Sequence, residues 1–212
     1  VPEDLLVYFG ERPSCYPGIR VADRSVRSYL YGSLASHVLG WVGPVTNFEL
    51  STRKPVDGKD YSLRDQIGKS GIELMFEDDL RGENGKRVFE VDRRGRVIRE
   101  RTDLFKPPVA GNDVQLTIDI DLQNLLENEL QKSIYLAREK VPEASEEDLE
   151  PAPFLAPGGS SLIISPKDGE IKAMASFPTY DPNESIGGYS VDRWNELNDP
   201  VNDLPMFNRA IQ

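Results

Sequence analysis

The stretch NDVQLTIDIDLQNLLENELQKSIYLARE (residues 112–139) changes its hydrophobic period halfway along. Apolar and polar residues alternate over 112–120, which predicts a half-buried β-strand over Val114–Ile120 with Asp119 on its outward face. From residue 122 the apolar residues recur every three or four positions, which predicts an amphipathic helix over 122–139, capped by Asp121. Its apolar face comprises Leu122, Leu125, Leu126, Leu130, Ile134 and Ala137. A strand followed by a helix, and then by a hairpin over 160–177 that turns at 167–169, indicates an α+β fold.

Shorter elements are predicted on the N-terminal side of this stretch. The pattern favours a turn and strand at 16–21, a helix over 26–40 that ends at Gly40, a strand or turn at 41–45, and a polar loop over 51–66. The helix over 26–40 would place Leu30, Leu34, Val38 and Leu39 on one face.

Three further elements follow from capping and turn residues. Ser70 and Glu73 have the spacing of a capping box, which predicts a helix over 70–82 that ends at Gly82. The apolar stripe of this helix is Ile72, Met75, Phe76 and Leu80. Alternation around Gly95 predicts a hairpin over 87–100, and Ser190 caps a predicted helix over 190–198 with Trp194 and Leu197 facing inward.

The composition excludes several classes of function. The chain has 212 residues, which fits one or two domains, and a net charge of −11, which disfavours nucleic-acid binding. Its single cysteine, Cys15, rules out an internal disulfide and is expected to be buried. No apolar run approaches 18 residues, and the chain begins at Val1 without a leader sequence, so we expect a piece of a longer protein.

Two short motifs resemble those of a serine acyl-transfer site. Residues 51–54 read S-x-x-K, and residues 69–71 read K-S-G. A working S-x-x-K needs a desolvated lysine one helical turn from the serine, but Pro55 and further polar residues follow Lys54. Because the second motif opens a predicted helix instead of lying on a strand, both are expected to be coincidental.

Other candidate residues favour structural roles. Asp119 and Asp121 could hold a metal ion, although a strand face and a helix cap explain them more simply. His37, the only histidine, lies next to Val38 near a predicted helix end, which favours a packing or capping role over general-base catalysis. Without it, no Ser/His/Asp triad can be built.

The order of the longer motifs resembles class B penicillin-binding proteins, the monofunctional D,D-transpeptidases of bacterial cell-wall synthesis. The stretches that carry the resemblance are YPGIRV (16–21), GSLASHVLGWVG (32–43), IGKSGIELMFEDDLRGENG (67–85), VFEVDRRGRVI (88–98), PPVAGNDVQLTIDIDLQ (107–123), GGSSLIISPKDGEIKAMASFPTYDPN (158–183) and PMFNRAIQ (205–212). Two departures from the family are local. Leu30 stands where the family commonly has proline, and the acidic stretch 141–157 has no counterpart and resembles a lineage insertion. The composition of residues 141–160 predicts a solvated surface loop or a disordered insertion.

The resemblance implies two regions. Residues 1–112 would form the pedestal, or dimerisation domain, with its N-terminal part missing, and 113–212 the start of the transpeptidase domain. The hairpin at 160–177 would then lie at the edge of an incomplete sheet. No catalytic residue, metal or cofactor is expected, since the family nucleophile would follow Gln212. The residues matching the family's structural motifs are Gly68, Gly71, Glu73, Leu80, Arg81, Gly82, Gly85, Asp119, Asp181, Pro182, Asn183, Asn208 and Arg209.

The implied function is the non-catalytic part of a peptidoglycan-crosslinking protein. It would position the transpeptidase head and bind a SEDS-type membrane glycosyltransferase and other elongation or division proteins. The sequence GKSGIE…LRG favours a role in elongation. Only the intact protein would bind stem peptides. It would lie on the outer side of the bacterial cytoplasmic membrane, anchored there by an N-terminal transmembrane helix that is absent from this sequence. The alternatives are a self-contained interaction module without enzymatic role and, from the aspartate pair, an unrelated metal-dependent α+β enzyme.

Overall fold

The computed structural model describes residues 2–12, 15–16, 19, 25–53, 61–140 and 154–211. In these residues the regular structure comprises three separate two-stranded antiparallel sheets, seven α-helices and three short 3-10 helices, Thr102–Leu104, Pro182–Ser185 and Pro200–Asn202. The helices are α1 (Glu3–Gly10), α2 (Ser36–Leu39), α3 (Asn47–Thr52), α4 (Gly71–Met75), α5 (Glu77–Leu80), α6 (Ile120–Glu139) and α7 (Val191–Leu197). The strands are β1 (Val42–Pro44), β2 (Gln66–Gly68), β3 (Phe89–Val91), β4 (Val97–Glu100), β5 (Gly159–Ile164) and β6 (Ile171–Phe177). The predicted α+β class is confirmed.

The largest packed unit is α6 against the β5–β6 hairpin. The predicted hairpin is confirmed, with Gly169 at a positive φ of 78° in its turn. Ala173 and Ala175 of β6 are fully buried, and Ile134 of α6 packs against the β5 backbone at Gly159. Small residues on the sheet therefore let the helix approach closely.

Helix α6 lies where the sequence predicts a helix, but two details of the prediction are wrong. The helix is capped by Asp119, whose carboxylate accepts the amides of Asp121 and Leu122, and not by Asp121. Because the helix begins two residues earlier than expected, Asp119 also leaves its predicted place on a strand face. Leu122 and Leu125 are exposed, whereas the other four residues of the predicted face are half-buried or buried: Leu126, Leu130, Ile134 and Ala137.

The predicted strand over Val114–Ile120 is wrong. Its alternating burial is present up to Ile118, but this segment contacts β6 through one backbone bond, from the Asp119 amide to the Lys172 carbonyl, and one side-chain bond from Thr117 to the Ile171 carbonyl. Two isolated bonds do not make a ladder. Within the described residues β5 and β6 therefore form a two-stranded sheet, consistent with the expected open edge.

Two predicted N-terminal helices are shorter than expected. Over 26–40 only α2 is helical, because Gly32 and Ala35 adopt left-handed conformations, and Leu30 is 86% exposed instead of facing a core. Gly40 ends α2 at a φ of 77°, as predicted.

The predicted helix over 70–82 is split into α4 and α5 at Phe76, and it ends at Leu80, before Gly82. The capping box is wrong, since the Ser70 side chain makes no cap bond and Glu73 is turned toward Arg27. Met75, expected inside, is 76% exposed.

The remaining predictions give mixed outcomes. The hairpin around Gly95 is confirmed as β3–β4, as are the strand at 42–44 and the Ser190 cap of α7. Leu197 is buried but Trp194 is 42% exposed, and Cys15 is exposed, contrary to expectation. The predicted loop over 51–66 begins inside α3 and ends in β2. Residues 54–60, 141–153 and most of 16–21 lie outside the described residues.

Among the helices of the described segments, none combines the length and the apolar character needed to cross a lipid bilayer.

Candidate functional site

A band of polar contacts joins residues 29–40 to α6 and to residues 174–210; we call it the central seam. Asn183 is its first anchor. Its amide oxygen accepts the Tyr29 amide at 2.9 Å, and its amide nitrogen donates to the Tyr29 carbonyl, also at 2.9 Å. Asp181 orients Asn183 by accepting both its backbone and side-chain N–H groups, and Pro182 between them is fully buried. One side chain thus satisfies both polar backbone groups of a residue 154 positions away.

His37 and Asn208 form the second anchor. The His37 ring lies edge-on to Tyr180, and its Nε2 contacts the Pro205 carbonyl at 2.8 Å. The Asn208 side chain donates to the His37 carbonyl at 3.1 Å. Burial lowers the pKa of His37 to about 4, so the ring is neutral at physiological pH. A neutral ring that donates to a carbonyl is a packing group, as the sequence indicated.

Helix α6 supplies the third anchor through two polar side chains on its buried face. Glu127 accepts the Ala35 amide at 2.7 Å and so holds the left-handed turn before α2. Gln123 bonds both the amide and the carbonyl of Met174 and donates to Glu127. Burial raises the pKa of the Glu127 carboxyl. The three anchors connect the N-terminal segment to both the helix and the sheet.

At one end of the seam, two glycines lie in close contact with neighbouring backbone. A Cβ on Gly68 would lie 2.0 Å from the Glu73 carbonyl oxygen, and one on Gly71 would lie 2.5 Å from that of Val38. Gly71 also has a φ of +57°, which L side chains disfavour. Only glycine fits at either position.

Next to these glycines lies a glutamate cluster, which we define as Glu73 and Glu77 with their cationic partners. Arg27 binds Glu73 through two bonds of 2.8 and 2.9 Å. Glu77 accepts the Gly68 amide at 2.8 Å, and burial raises the pKa of its carboxyl. Arg81 pairs with Asp65 at 3.0 Å and stacks 3.6 Å over the Tyr61 ring. The cluster fixes the short helices α4 and α5 by hydrogen-bonded charges.

The other motif residues also make backbone contacts. Gly82 and Gly85 lie against the backbone at 108–109, and the Leu80 carbonyl lies against Gly111. The Arg209 guanidinium donates to the Asp203 and Leu204 carbonyls, and its amide donates to Ser176.

Among the described residues, the side chains of the two serine–lysine motifs are engaged in other contacts. Ser51 lies on the exposed helix α3 and donates its hydroxyl to the Phe48 carbonyl at 2.8 Å, while Lys54 is outside the described residues. The Lys69 amine pairs with the Glu49 carboxylate at 2.6 Å and is engaged there instead of with a serine hydroxyl. Within the described ranges, no cluster of three or more His, Cys, Asp and Glu residues could hold a metal ion, and Asp119 is engaged as a helix cap.

Sequence reasoning missed the polar residues that hold the seam. Gln123 and Glu127 lie on the buried face of α6, but an apolar pattern treats them as solvent-facing. Tyr29 and Ala35 contribute through backbone groups, which leave no signal in side-chain periodicity. The one available signal was spacing, since Gln123 and Glu127 are four residues apart and in phase with Leu130 and Ile134.

Comparison with known proteins covers almost the whole chain. Residues 1–116 match the family described as "Penicillin-binding Protein dimerisation domain". Peptidoglycan D,D-transpeptidase MrdA of Escherichia coli is 34% identical over 201 residues, which are 93% of this chain and 27% of that protein. The chain thus spans about a quarter of the length of the curated relatives it matches.

Solved structures agree in fold. The similarity to a solved peptidoglycan synthase complex that coordinates polymerization and crosslinking extends over all of this chain and 34% of the chain in that structure, with a TM-score of 0.68 and 28% identity. The complex between PBP2 and MreC from Helicobacter pylori covers 99% of this chain and 33% of its own, with a TM-score of 0.66, and at 24% identity it supports the fold alone. The resemblance in the sequence is confirmed, and the chain belongs to the penicillin-binding protein dimerisation-domain family.

Proposed function

We propose that this chain is the non-catalytic part of a peptidoglycan D,D-transpeptidase, which positions the transpeptidase head and binds other cell-wall synthesis proteins. In this proposal residues 1–112 are the pedestal and 113–212 begin the transpeptidase domain. The longer protein is anchored in the bacterial cytoplasmic membrane, with this part outside, and its head crosslinks stem peptides by serine acyl transfer.

The observation that carries the proposal is how the motif residues are used. Gly68 and Gly71 lie directly against neighbouring backbone, and the Asn183 and Asn208 side chains bond backbone groups across the seam. The hydroxyl of Ser51, by contrast, is bound at the surface to a carbonyl. Residues engaged in this way suit a rigid support. In the proposed division, the seam is where the pedestal holds the head at a fixed orientation.

Partner binding is supported by a surface on the β3–β4 hairpin. Phe89, Val91, Val97 and Ile98 are 42–65% exposed and lie close together on this hairpin. Exposed apolar clusters of this kind are common where proteins associate. The related structure of a peptidoglycan synthase complex supports a polymerising partner, which we propose to be a SEDS-type membrane glycosyltransferase.

Co-purification with that glycosyltransferase from the same organism tests the proposal. The chain is expected to co-elute with the enzyme in detergent, and a Phe89→Ser/Val97→Ser variant is expected to lose at least half of the complex. Arg93→Ala, on the exposed turn of the same hairpin, serves as the matched control and should bind normally. Failure of the unmodified chain to bind would contradict the partner role.

A further inference from the structure

A polar cleft of about 530 Å³ separates α6 from the turn at residues 31–34. The volume lies within the range of small-molecule sites. The cleft opens on the side of α6 that carries Asn124, Asn128 and Gln131, and its far wall includes Phe177 and Thr179. The cleft lies beside the seam, but most of the side chains that line it take no part in the contacts of the seam.

The helix wall presents a row of amides. Asn124, Asn128 and Gln131 recur at helical spacing and span seven residues, or about 10 Å along the axis. The Asn128 side chain donates to Asn124, and that of Gln131 donates to Tyr135. This leaves the Asn124 amide nitrogen and the Asn128 and Gln131 amide oxygens without a partner among the described residues. Donors and acceptors are therefore both available along one line.

The charge of the lining excludes anions. Asp121 and Glu127 line the cleft, and among the described residues that line it there is no Lys, Arg or His. A phosphate or carboxylate ligand would meet only like charge there. A neutral ligand rich in hydroxyl and amide groups fits the lining.

The opposite wall supplies apolar contact. Tyr31 and Leu34 line this wall, with 65% of the Tyr31 surface exposed, and Leu130 adds an apolar contact from α6. An exposed aromatic ring beside a row of amides can contact the C–H face of a sugar while the amides bond its hydroxyls. One helical turn, about 5.4 Å, is close to the length of one pyranose unit in a β-1,4-linked chain.

We propose that this cleft binds a neutral oligosaccharide, with about two sugar units lying along α6 between the amide row and Tyr31. Binding at this cleft is separate from the partner role above, so either can fail without the other. The side chains at issue are exposed and can be changed without disturbing the seam.

Titration of the 212-residue chain with chitotetraose, the β-1,4-linked tetramer of N-acetylglucosamine, tests the proposal by amide NMR. Saturable shifts are expected at α6 and at residues 31–34, with a Kd on the order of 1 mM or tighter. Tyr31→Ala should weaken binding about tenfold. Asn128→Ala should weaken it about fivefold through the lost amide bonds.

Glu129→Gln is the matched control, because Glu129 lies on the exposed face of the same helix and pairs with Lys132. It should bind as the unmodified chain does. Shift mapping on the unmodified chain gives a readout that does not depend on any variant. Absent or unsaturable shifts, shifts centred away from the cleft, or Tyr31→Ala binding at full strength would each overturn the proposal.

Discussion

The central seam and the β3–β4 hairpin both contain many polar contacts, but the seam keeps them from water and the hairpin does not. Asn183 and Asn208 bond backbone groups inside the seam, where a lost partner leaves a buried polar group unsatisfied. On the hairpin, Arg87 pairs with Glu100 and Arg99 with Glu90, while both arginine side chains stay more than 60% exposed. Solvent exposure, and not the number of contacts, therefore decides which region stabilises the fold.

The largest effect is expected at Gly71. Gly71→Ala combines a left-handed backbone with a carbonyl 2.5 Å from the new Cβ, and we expect a loss of about 3–5 kcal/mol in the free energy of unfolding. Urea denaturation measures it. Gly95→Ala is the control, since Gly95 has a φ of +77° but open space around it, and it should cost only about 1–2 kcal/mol. Equal losses at the two glycines would show that the seam backbone is not tightly packed.

A smaller loss is expected from Asn183→Ala. The substitution leaves the Tyr29 amide without its partner and the Tyr29 carbonyl with only the Gly32 amide, which should cost about 1–3 kcal/mol. Thermal or urea unfolding checks this, with Asn195→Ala as control on the exposed face of α7, where a change below about 0.5 kcal/mol is expected. If both variants unfold alike, Asn183 does not anchor the seam.

The pH dependence of stability tests the His37 anchor. The folded-state pKa of His37 is about 4, below its ordinary 6.5, so the unfolded chain takes up the proton first as the pH falls. His37 therefore contributes a loss of about 2 kcal/mol between pH 7 and pH 5.

Urea midpoints at the two pH values should show this loss in the unmodified chain, and His37→Gln should show a smaller one. Identical pH dependence in both proteins would mean that the ring is not held neutral. Glu127 has the opposite effect on the pH dependence of stability, because its raised pKa favours the folded state as the pH falls.

The smallest effect is expected on the hairpin. Arg99→Ala removes a bidentate contact with Glu90 that is open to water, and the urea midpoint should stay unchanged within error. The same measurement in high salt should also show no change, since screening acts on a contact that contributes little. A clear destabilisation by Arg99→Ala would remove the distinction between the two regions.

Sequence reasoning found the elements whose signal is local. The helix α6 and both longer hairpins follow from hydrophobic period and turn glycines, because their contacts lie within a few residues. The seam could not be found in this way. Asn183 bonds Tyr29, which lies 154 positions away in the sequence. Glu73 has the sequence spacing of a capping residue, but in the fold it binds Arg27 instead. The helix predicted over 26–40 fails for the same reason, since the left-handed Ala35 is held by Glu127 from α6.

The motif residues also show what sequence alone cannot predict. Their positions could be matched by resemblance, but a spelling such as S-x-x-K carries no information on burial. Ser51 satisfies the motif and lies on an exposed helix, with its hydroxyl bonded to Phe48. Desolvation of the lysine, which acyl transfer needs, is a property of the folded surroundings.

Labelling with a fluorescent penicillin, followed by mass spectrometry of the tryptic peptides, tests most directly the claim that this chain supports catalysis without performing it. Folded chain of this length is expected to carry no covalent adduct after prolonged incubation, while a bona fide transpeptidase run in parallel becomes labelled. A stoichiometric acyl adduct on Ser51, Ser70 or any other serine of the chain would contradict the account.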